Sequence, residues 1–320
     1  MNRRGVCLGA AAIALTVPLA GCMTVHGERE NIPSASKKEA ASAVARFLAV
    51  TNEVSRDYDA KKVLTVEAGV LGATDEAGLR SRHAVDPDGD PGYKPLAFSD
   101  TRYLIPRQVG WPKYFVADTA TNRDPVSRWL LVFRHAAPGQ PWKAVYVAAV
   151  PTSAMPEFAK DKDGHAVAAG MAGTDLLVQP GKLSEAYTGY LGKGGGDFAD
   201  GPATSQLRST RQANAKGPNS VTQYADQPAS GGDYAPAALR TADGGAVVFF
   251  AARQQSRSTF RAGYSLDLSA GTKALLTGTP RTSITLSQVA DCAATVPAGG
   301  GSGKVVLLSR IVGLVSAKGA

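Results

Sequence analysis

The sequence predicts an α+β protein of two tandem units, each with helices packed on a bent antiparallel sheet. Three observations carry this prediction. A helical periodicity over residues 36–58 precedes four β-rich runs between 101 and 150. The same order, helices and then strands, returns between 183 and 315. Clusters of Pro, Gly, Asn and Asp separate the runs. The apolar share of 44% suffices for real cores, and 320 residues exceed one ordinary domain of roughly 100–200.

The first helix is signalled by Ser36 and Glu39, which stand in capping-box spacing. Val44, Phe47, Leu48, Thr51, Val54 and Tyr58 then share one helical face, while Lys37, Lys38, Glu53 and Arg56 fall away from it. Shorter helical pieces are expected at 59–66 and 74–83. Asp86–Gly92, with two prolines and two glycines, is a loop. Strands follow at Thr101–Pro106, Lys113–Thr119, Arg128–His135 and Trp142–Val150, rich in aromatic and β-branched residues. In the second half, Leu183, Ala186, Tyr187, Tyr190 and Leu191 have helical spacing, and Thr204–Ala215 forms another helix before Gly217-Pro218. Strand-like runs are Val221–Ala225, Tyr234–Thr241, Ala246–Arg253, Arg281–Ala290 and Val305–Val315, with a hairpin turn at Ala242–Gly245. A long helix on a bent antiparallel sheet resembles the cystatin-like and nuclear-transport-factor-2-like folds. Such folds host enzymes, binders and scaffolds alike.

The N-terminus supplies an address. Arg3 and Arg4 precede an apolar stretch, Val6–Ala20, too short for the roughly 20 residues of a membrane span and interrupted by Pro18. The small residues before Cys22 in Leu19-Ala20-Gly21-Cys22 mark a bacterial lipoprotein cleavage site between Gly21 and Cys22. Residues 1–21 are thus read as a signal peptide of the general secretory route. Cys22 carries a diacylglyceryl group, with palmitate-type chains, that anchors the chain in the bilayer. Two acyl chains hold stably where one holds only marginally. Residues 22–36 form a tether, 37–175 a first α+β domain and 176–320 a second. This places the protein at the cell membrane, on its extracytoplasmic face. Removal of Cys7 and lipidation of Cys22 leave Cys292 without a partner, so no internal disulfide forms, and Cys292 is read as a small buried hydrophobe.

Charge is uneven. Residues 37–175 hold 18 Lys and Arg against 17 Asp and Glu, whereas 176–320 hold 14 against 8. The basic second half points to anionic lipid headgroups, a wall polymer or a protein partner. Its sharpest local form is Arg253, Arg257 and Arg261, candidate anion-binding residues that would share a face in a helix; because they follow the strand-like Ala246–Ala252, a loop or strand extension is the other reading. Nucleic acid is not expected as a partner, because no dense basic stripe with interleaved aromatics is present.

No motif names a reaction. His26, His83, His135 and His165 lack the spacing of a zinc pair, so no metal site is expected from them. Asp86, Asp88 and Asp90 alternate as in calcium loops, but Pro91 and Ala97 stand where that pattern needs Gly and Glu. Asp161–His165 reads as a turn. Gly299–Lys304 lacks the first glycine and the hydroxyl residue of a phosphate loop, at Ala298 and Val305. If a helix-on-sheet pocket existed, a carboxylate and a tyrosine there would serve acid–base work. Asp118 with Tyr114, or Asp57 with Tyr58, are residues of the right type. Trp111, Trp129 and Trp142 are assigned to packing in the first sheet. No cofactor is expected.

Cys22–Glu28, Phe47–Asn52, Gly110–Pro112, Phe115–Asp118, Asp161–Gly164 and Ala242–Phe250 together resemble a family of actinobacterial lipoproteins of unknown function. The resemblance runs over most of the mature chain. It implies an address and a class, and assigns no reaction and no catalytic residue. The expected role is therefore a non-catalytic binding or interaction module on the outer face of the cytoplasmic membrane. A small-molecule enzyme or carrier with a helix-on-sheet pocket is the alternative. Replacement of Cys22 by serine is expected to leave the chain unlipidated and move it to the soluble fraction, read by fractionation of cells. A variant that stays with the membranes overturns the anchor assignment.

Overall fold

Where the chain becomes described, its backbone is already paired. In the computed structural model, which describes residues 30–264 and 266–320, β1 (Ile32–Pro33) pairs with β3 (Arg107–Gln108), and Ser34 N donates to Pro106 O at 2.8 Å. Ser34 and Ala35 are buried. The tether assigned to residues 22–36 is thus shorter than expected, because its last residues lie against the folded body. Ser36 then caps α1 (Lys37–Asp57). Its Oγ accepts from Glu39 N, and Glu39 Oε2 accepts from Ser36 N at 2.7 Å. Ala40, Val44, Phe47 and Val54 face inward, and Tyr58 ends the helix with left-handed backbone (φ 53°). A short 3-10 turn (Lys62–Thr65) leads to α2 (Gly69–Val85), which begins five residues before the 74–83 expectation.

The first sheet has the order β2 (Phe98–Leu104), β4 (Lys113–Thr121), β5 (Ser127–His135), β6 (Lys143–Pro151), all antiparallel. Two helices follow, α3 (Leu183–Lys193) and α4 (Ser205–Ala213). The second sheet comprises β7 (Ser220–Ala229), β8 (Ala237–Arg240), β9 (Ala246–Phe260), β10 (Leu276–Thr277), β11 (Ser283–Val296) and β12 (Val306–Gly319). Its order is β10-β12-β11-β9-β7, with β8 sharing one edge of β9 with β7. Among the described strands of this sheet only β10 and β12 pair in parallel. A further one-turn helix, α5 (Ala270–Ala274), carries no apolar period and was not anticipated.

β9 runs seven residues past the expected end at Arg253. Its distal half alternates Gln, Ser, Arg and Thr and so lacks an apolar face. Pairing with β7 on one side and β11 on the other holds it extended.

Strand alternation then decides the layers. Phe115, Leu131, Phe133 and Ala144 of the first sheet pack beneath α1 with Phe47 and Val44. The alternate residues Tyr114, Val116, Leu130, Val132, Tyr146 and Ala148 face the second sheet, where Leu239, Val247, Phe249, Ala251 and Val289 meet them. On the far side of the second sheet, Val248, Phe250, Ala290 and Cys292 pack against Leu183, Tyr187 and Leu191 of α3. The architecture is α+β: helix, sheet, sheet, helix. The central apolar layer draws on both sides of the 175/176 boundary read from the sequence.

Polar side chains stitch that layer. Tyr114 Oη donates to Ala238 O at 2.6 Å, and Tyr146 Oη to Tyr234 O at 2.7 Å. Arg134 donates to Asp233 O at 3.0 Å and to Ala235 O. Gly69, with φ +61°, brings the start of α2 so near this segment that a Cβ there would lie 2.4 Å from Asp233 O. Truncating Phe249 to Ala is expected to cost about 3–5 kcal/mol, since it empties the middle of a close-packed layer. Tyr114→Phe, which removes one buried hydrogen bond while Ala169 N still donates to Ala238 O at 2.9 Å, is expected to cost about 0.5–1.5 kcal/mol. Urea unfolding of both variants checks the order of these effects.

Candidate functional site

The residues singled out in the sequence do not converge. Gly21, Cys22 and His26 lie outside the described residues. Asp118 is buried in an ion pair with Arg128, which also reaches Asp100 at 2.9 Å. Tyr114 is committed to Ala238 O. Asp57 is exposed and paired with Arg56, and Tyr58 caps α1 beneath Arg82. These carboxylate–tyrosine pairs therefore line no pocket together. Asp90 closes its own loop by accepting from Gly92 N at 2.9 Å, and Asp161 accepts from the backbone of Asp163 and His165. His135 packs between Trp111 and Trp142, and burial lowers its pKa. Among the described residues no group of three His, Cys, Asp or Glu is placed to hold a metal ion. Cys292 is fully buried, and burial pushes its thiol pKa up, which fits a small hydrophobe rather than a nucleophile.

Arg253 and Arg257 lie on the strand β9, not on a helix. Four residues on a strand span about 13 Å, so the two guanidiniums form a row and not a clamp. Arg253 stacks on Tyr234 at 5.0 Å, and Arg261 lies beyond the end of β9.

A pocket of about 350 Å³ lies where α1 and α2 meet the outer face of the first sheet and the β11–β12 pair. α1 contributes Phe47, Thr51 and Ser55, and α2 contributes Leu71, Thr74 and Asp75. Trp129 and Leu131 of β5, Val147 of β6, Asp291 of β11 and Ile311 of β12 complete the floor and walls. Tyr93, Leu96 and Arg123 form a rim. Asn52 pins that rim: its Oδ1 accepts from Leu96 N at 2.7 Å and Tyr93 Oη at 2.9 Å, and its Nδ2 donates to Leu96 O. Asn122 holds the other side through Pro95 O and Ala97 N, both at 2.9 Å.

Three carboxyl groups gather behind these walls. Asp291 is 3% exposed, and its Oδ2 accepts from Val147 N at 2.7 Å. β6 is the edge strand of its sheet, so this bond satisfies a backbone donor that no neighbouring strand reaches. Among the described residues Asp291 Oδ1 has no donor. Burial raises the Asp291 pKa well above the carboxylate range, and the charge of Asp75 adds to the rise. Glu67 is 1% exposed and accepts from Thr51 Oγ1 at 3.5 Å. Burial, with the carboxyl of Asp75 beside it, raises Glu67 likewise. With both acids ionised Glu67 Oε2 is orphaned; a proton shared with Asp75 gives it a partner. Asp75 is raised by burial too, and Arg82 partly offsets that rise. The pocket thus presents carboxyls whose ionisation burial disfavours, among aromatic and aliphatic walls. Such groups either donate a hydrogen bond or ionise when a cation arrives.

A larger open groove of about 540 Å³ runs between α3, α4 and β7. Its cations are already engaged: Arg211 forms a two-toothed pair with Asp226, and Arg208 stacks on Tyr190. The acid-floored pocket differs in holding a buried polar atom without a partner.

The fold is an α+β sandwich with a pocket whose walls mix apolar and polar side chains. None of the described helices is long and apolar enough to cross a membrane. Residues 31–319 match the family described as a domain of unknown function, DUF8094, and the chain belongs to that family. It is 42% identical to an "Uncharacterized lipoprotein" of Streptomyces coelicolor over 98% of this chain and 94% of the relative. An "Uncharacterized lipoprotein" of Streptomyces avermitilis is also 42% identical, over 97% and 93%. A further one of Streptomyces coelicolor is 26% identical over 92% and 90%. The chain is accordingly a lipoprotein.

The buried acids make stability depend on pH. With pKa values raised in the native state, the folded chain keeps protons that the unfolded chain releases from about pH 4 upward, so stability falls as pH rises toward the raised values. Asp291→Asn keeps the acceptor for Val147 N and removes one of these protons. Its stability is expected to fall less steeply with pH, by up to about 1.4 kcal/mol per pH unit, with Glu67 and Asp75 supplying the remaining slope. Urea unfolding of wild type and variant between about pH 5 and about pH 8 measures the difference.

Proposed function

We propose that this lipoprotein is a small-molecule binding protein of the outer face of the cytoplasmic membrane, with its ligand in the pocket between α1, α2 and β11. The observation that carries the reading is Asp291: a buried carboxyl at the pocket wall with Oδ1 unpartnered. A core selected for stability alone gains nothing from such a group, because an unsatisfied buried polar atom costs about 1–3 kcal/mol. The rim bonds of Asn52 and Asn122 support the same reading, since they hold an entrance open in a fixed shape. Nine residues separate Cys22 from β1. The pocket would work close to the bilayer.

A second reading rests on the row of Arg253 and Arg257 along β9. An extended row suits an anionic surface, lipid headgroups or wall polymer, better than a single phosphate. It predicts salt-sensitive binding to anionic vesicles that Arg253→Gln with Arg257→Gln weakens.

The pocket reading is tested by purifying the chain from its own host and identifying co-extracted small molecules by mass spectrometry, beside the variant Ser55→Trp. The new side chain fills the pocket from the α1 wall. A compound retained by wild type and lost from a folded Ser55→Trp variant is the expected result. Retention unchanged by the substitution, or no retained compound, overturns the reading.

A further inference from the structure

Of the charged groups in the fold, Asp75 and Asp291 stand out by what they lack. Asp118 and Asp226 are buried too, but each has an arginine against it. Among the described residues neither Asp75 nor Asp291 has a lysine, arginine or histidine in ion-pair contact. Arg82 acts on Asp75 electrostatically from a position stacked on Tyr58, 5.6 Å from the ring centroid. Both acids line one cavity, with Phe47 and Trp129 in its wall. We propose that the ligand of this pocket is a compact organic cation, an ammonium or related amine on an apolar body. Asp75 and Asp291 receive its charge, and Phe47 and Trp129 receive its body.

This rests on the pocket reading above and adds the chemical class. A carboxylate in apolar surroundings is stabilised when a cation is buried with it, and aromatic faces attract the same cation. An anionic ligand would meet two acids of its own sign. A bare metal ion would need converging ligands, and among the described residues no such group exists. At about 350 Å³ the cavity is at the small end of ordinary ligand sites. The hydroxyls of Thr51, Ser55 and Thr74 are placed to accept remaining N–H donors.

Charge balance follows directly. The ammonium enters protonated, one carboxyl of the Asp75–Asp291 pair gives up its proton to water, and the buried complex is neutral. Affinity therefore rises with pH, about tenfold per unit for one proton released, until the carboxyl is ionised without ligand. The groups that bear on this range are Glu67 behind Asp75, Arg82 on α2 and Tyr146 on β6 beside Asp291; Tyr93 and Arg123 stand at the rim.

The test compares three probes of one shape: phenethylamine, 2-phenylethanol and 3-phenylpropionate. Each is titrated calorimetrically into the full lipidated chain in phospholipid nanodiscs, in two buffers of different ionisation enthalpy. The amine is expected to bind at least about tenfold more tightly than the alcohol, with buffer-dependent heat showing about one proton released. Asp75→Asn and Asp291→Asn are each expected to abolish that preference while alcohol binding persists. That persistence separates lost charge recognition from lost folding. Equal binding of amine and alcohol, preference for the propionate, or an amine preference that survives both substitutions overturns the cation assignment and leaves the pocket reading standing. Failure of all three probes to bind overturns the assignment, and the co-extraction experiment then decides the pocket by itself.

Discussion

The structure depends on one apolar layer, the contact between the inner faces of its two sheets. Tyr114, Val116, Leu130, Val132 and Tyr146 on one side meet Leu239, Val247, Phe249 and Ala251 on the other. Everything else is arranged around that contact. Each sheet has a second face to cover, and α1 covers one while α3 covers the other. The hydroxyls of Tyr114 and Tyr146 and the guanidinium of Arg134 end on carbonyls between Gly232 and Ala238, so the polar parts of large inward side chains are satisfied without opening the layer. The register of the two halves follows from these bonds as much as from the apolar contact.

The pocket is a consequence of the same arrangement. The first sheet ends at β6, and its exposed edge must be covered. Residues 66–68 cover part of it through Ala68 N to Ala144 O at 3.0 Å and Ala144 N to Val66 O at 2.8 Å. Farther along, Val147 N has no strand to receive it, and Asp291 supplies the acceptor from the second sheet. An asparagine would serve that bond equally well without a buried charge. The carboxyl at this position, with Asp75 and Glu67 near it, therefore gives the edge a chemical property as well as closure.

Much of the fold was legible in the residues. The capping box at Ser36 and Glu39 forms on both sides, the three-and-four spacing of Val44, Phe47 and Val54 is the buried face of α1, and Trp129 and Trp142 pack on the first sheet as their surroundings implied. The Arg253–Arg261 segment was harder, because a four-residue spacing fits a helix face and one face of a strand equally well. Partners on both sides decided for the strand. The site was not read. Its acids lie far apart in sequence and carry no motif. Asp291 nevertheless left a trace: it is a charged residue at the inward parity of Val289 and Ala293, in a stretch, Val289–Ala294, that is otherwise small and apolar. Glu67, between Val66 and Ala68, leaves a similar one.

By itself the sequence determined what depends on neighbours along the chain: the α+β class, the caps and turns, most strand positions, and a lipoprotein address that the family supports. Each of these rests on local rules, such as a capping hydroxyl, the period of apolar residues or a small residue before a cysteine. Tertiary structure alone decided which face of each sheet turns to the other, that residues 32–35 join the folded body, and that Asp75 and Asp291 share a cavity. Those outcomes depend on burial and on partners far along the chain, from Pro106 against Ser34 to Asp291 against Asp75. A carboxyl's protonation and reach are set by what surrounds it in space, which local periodicity does not encode.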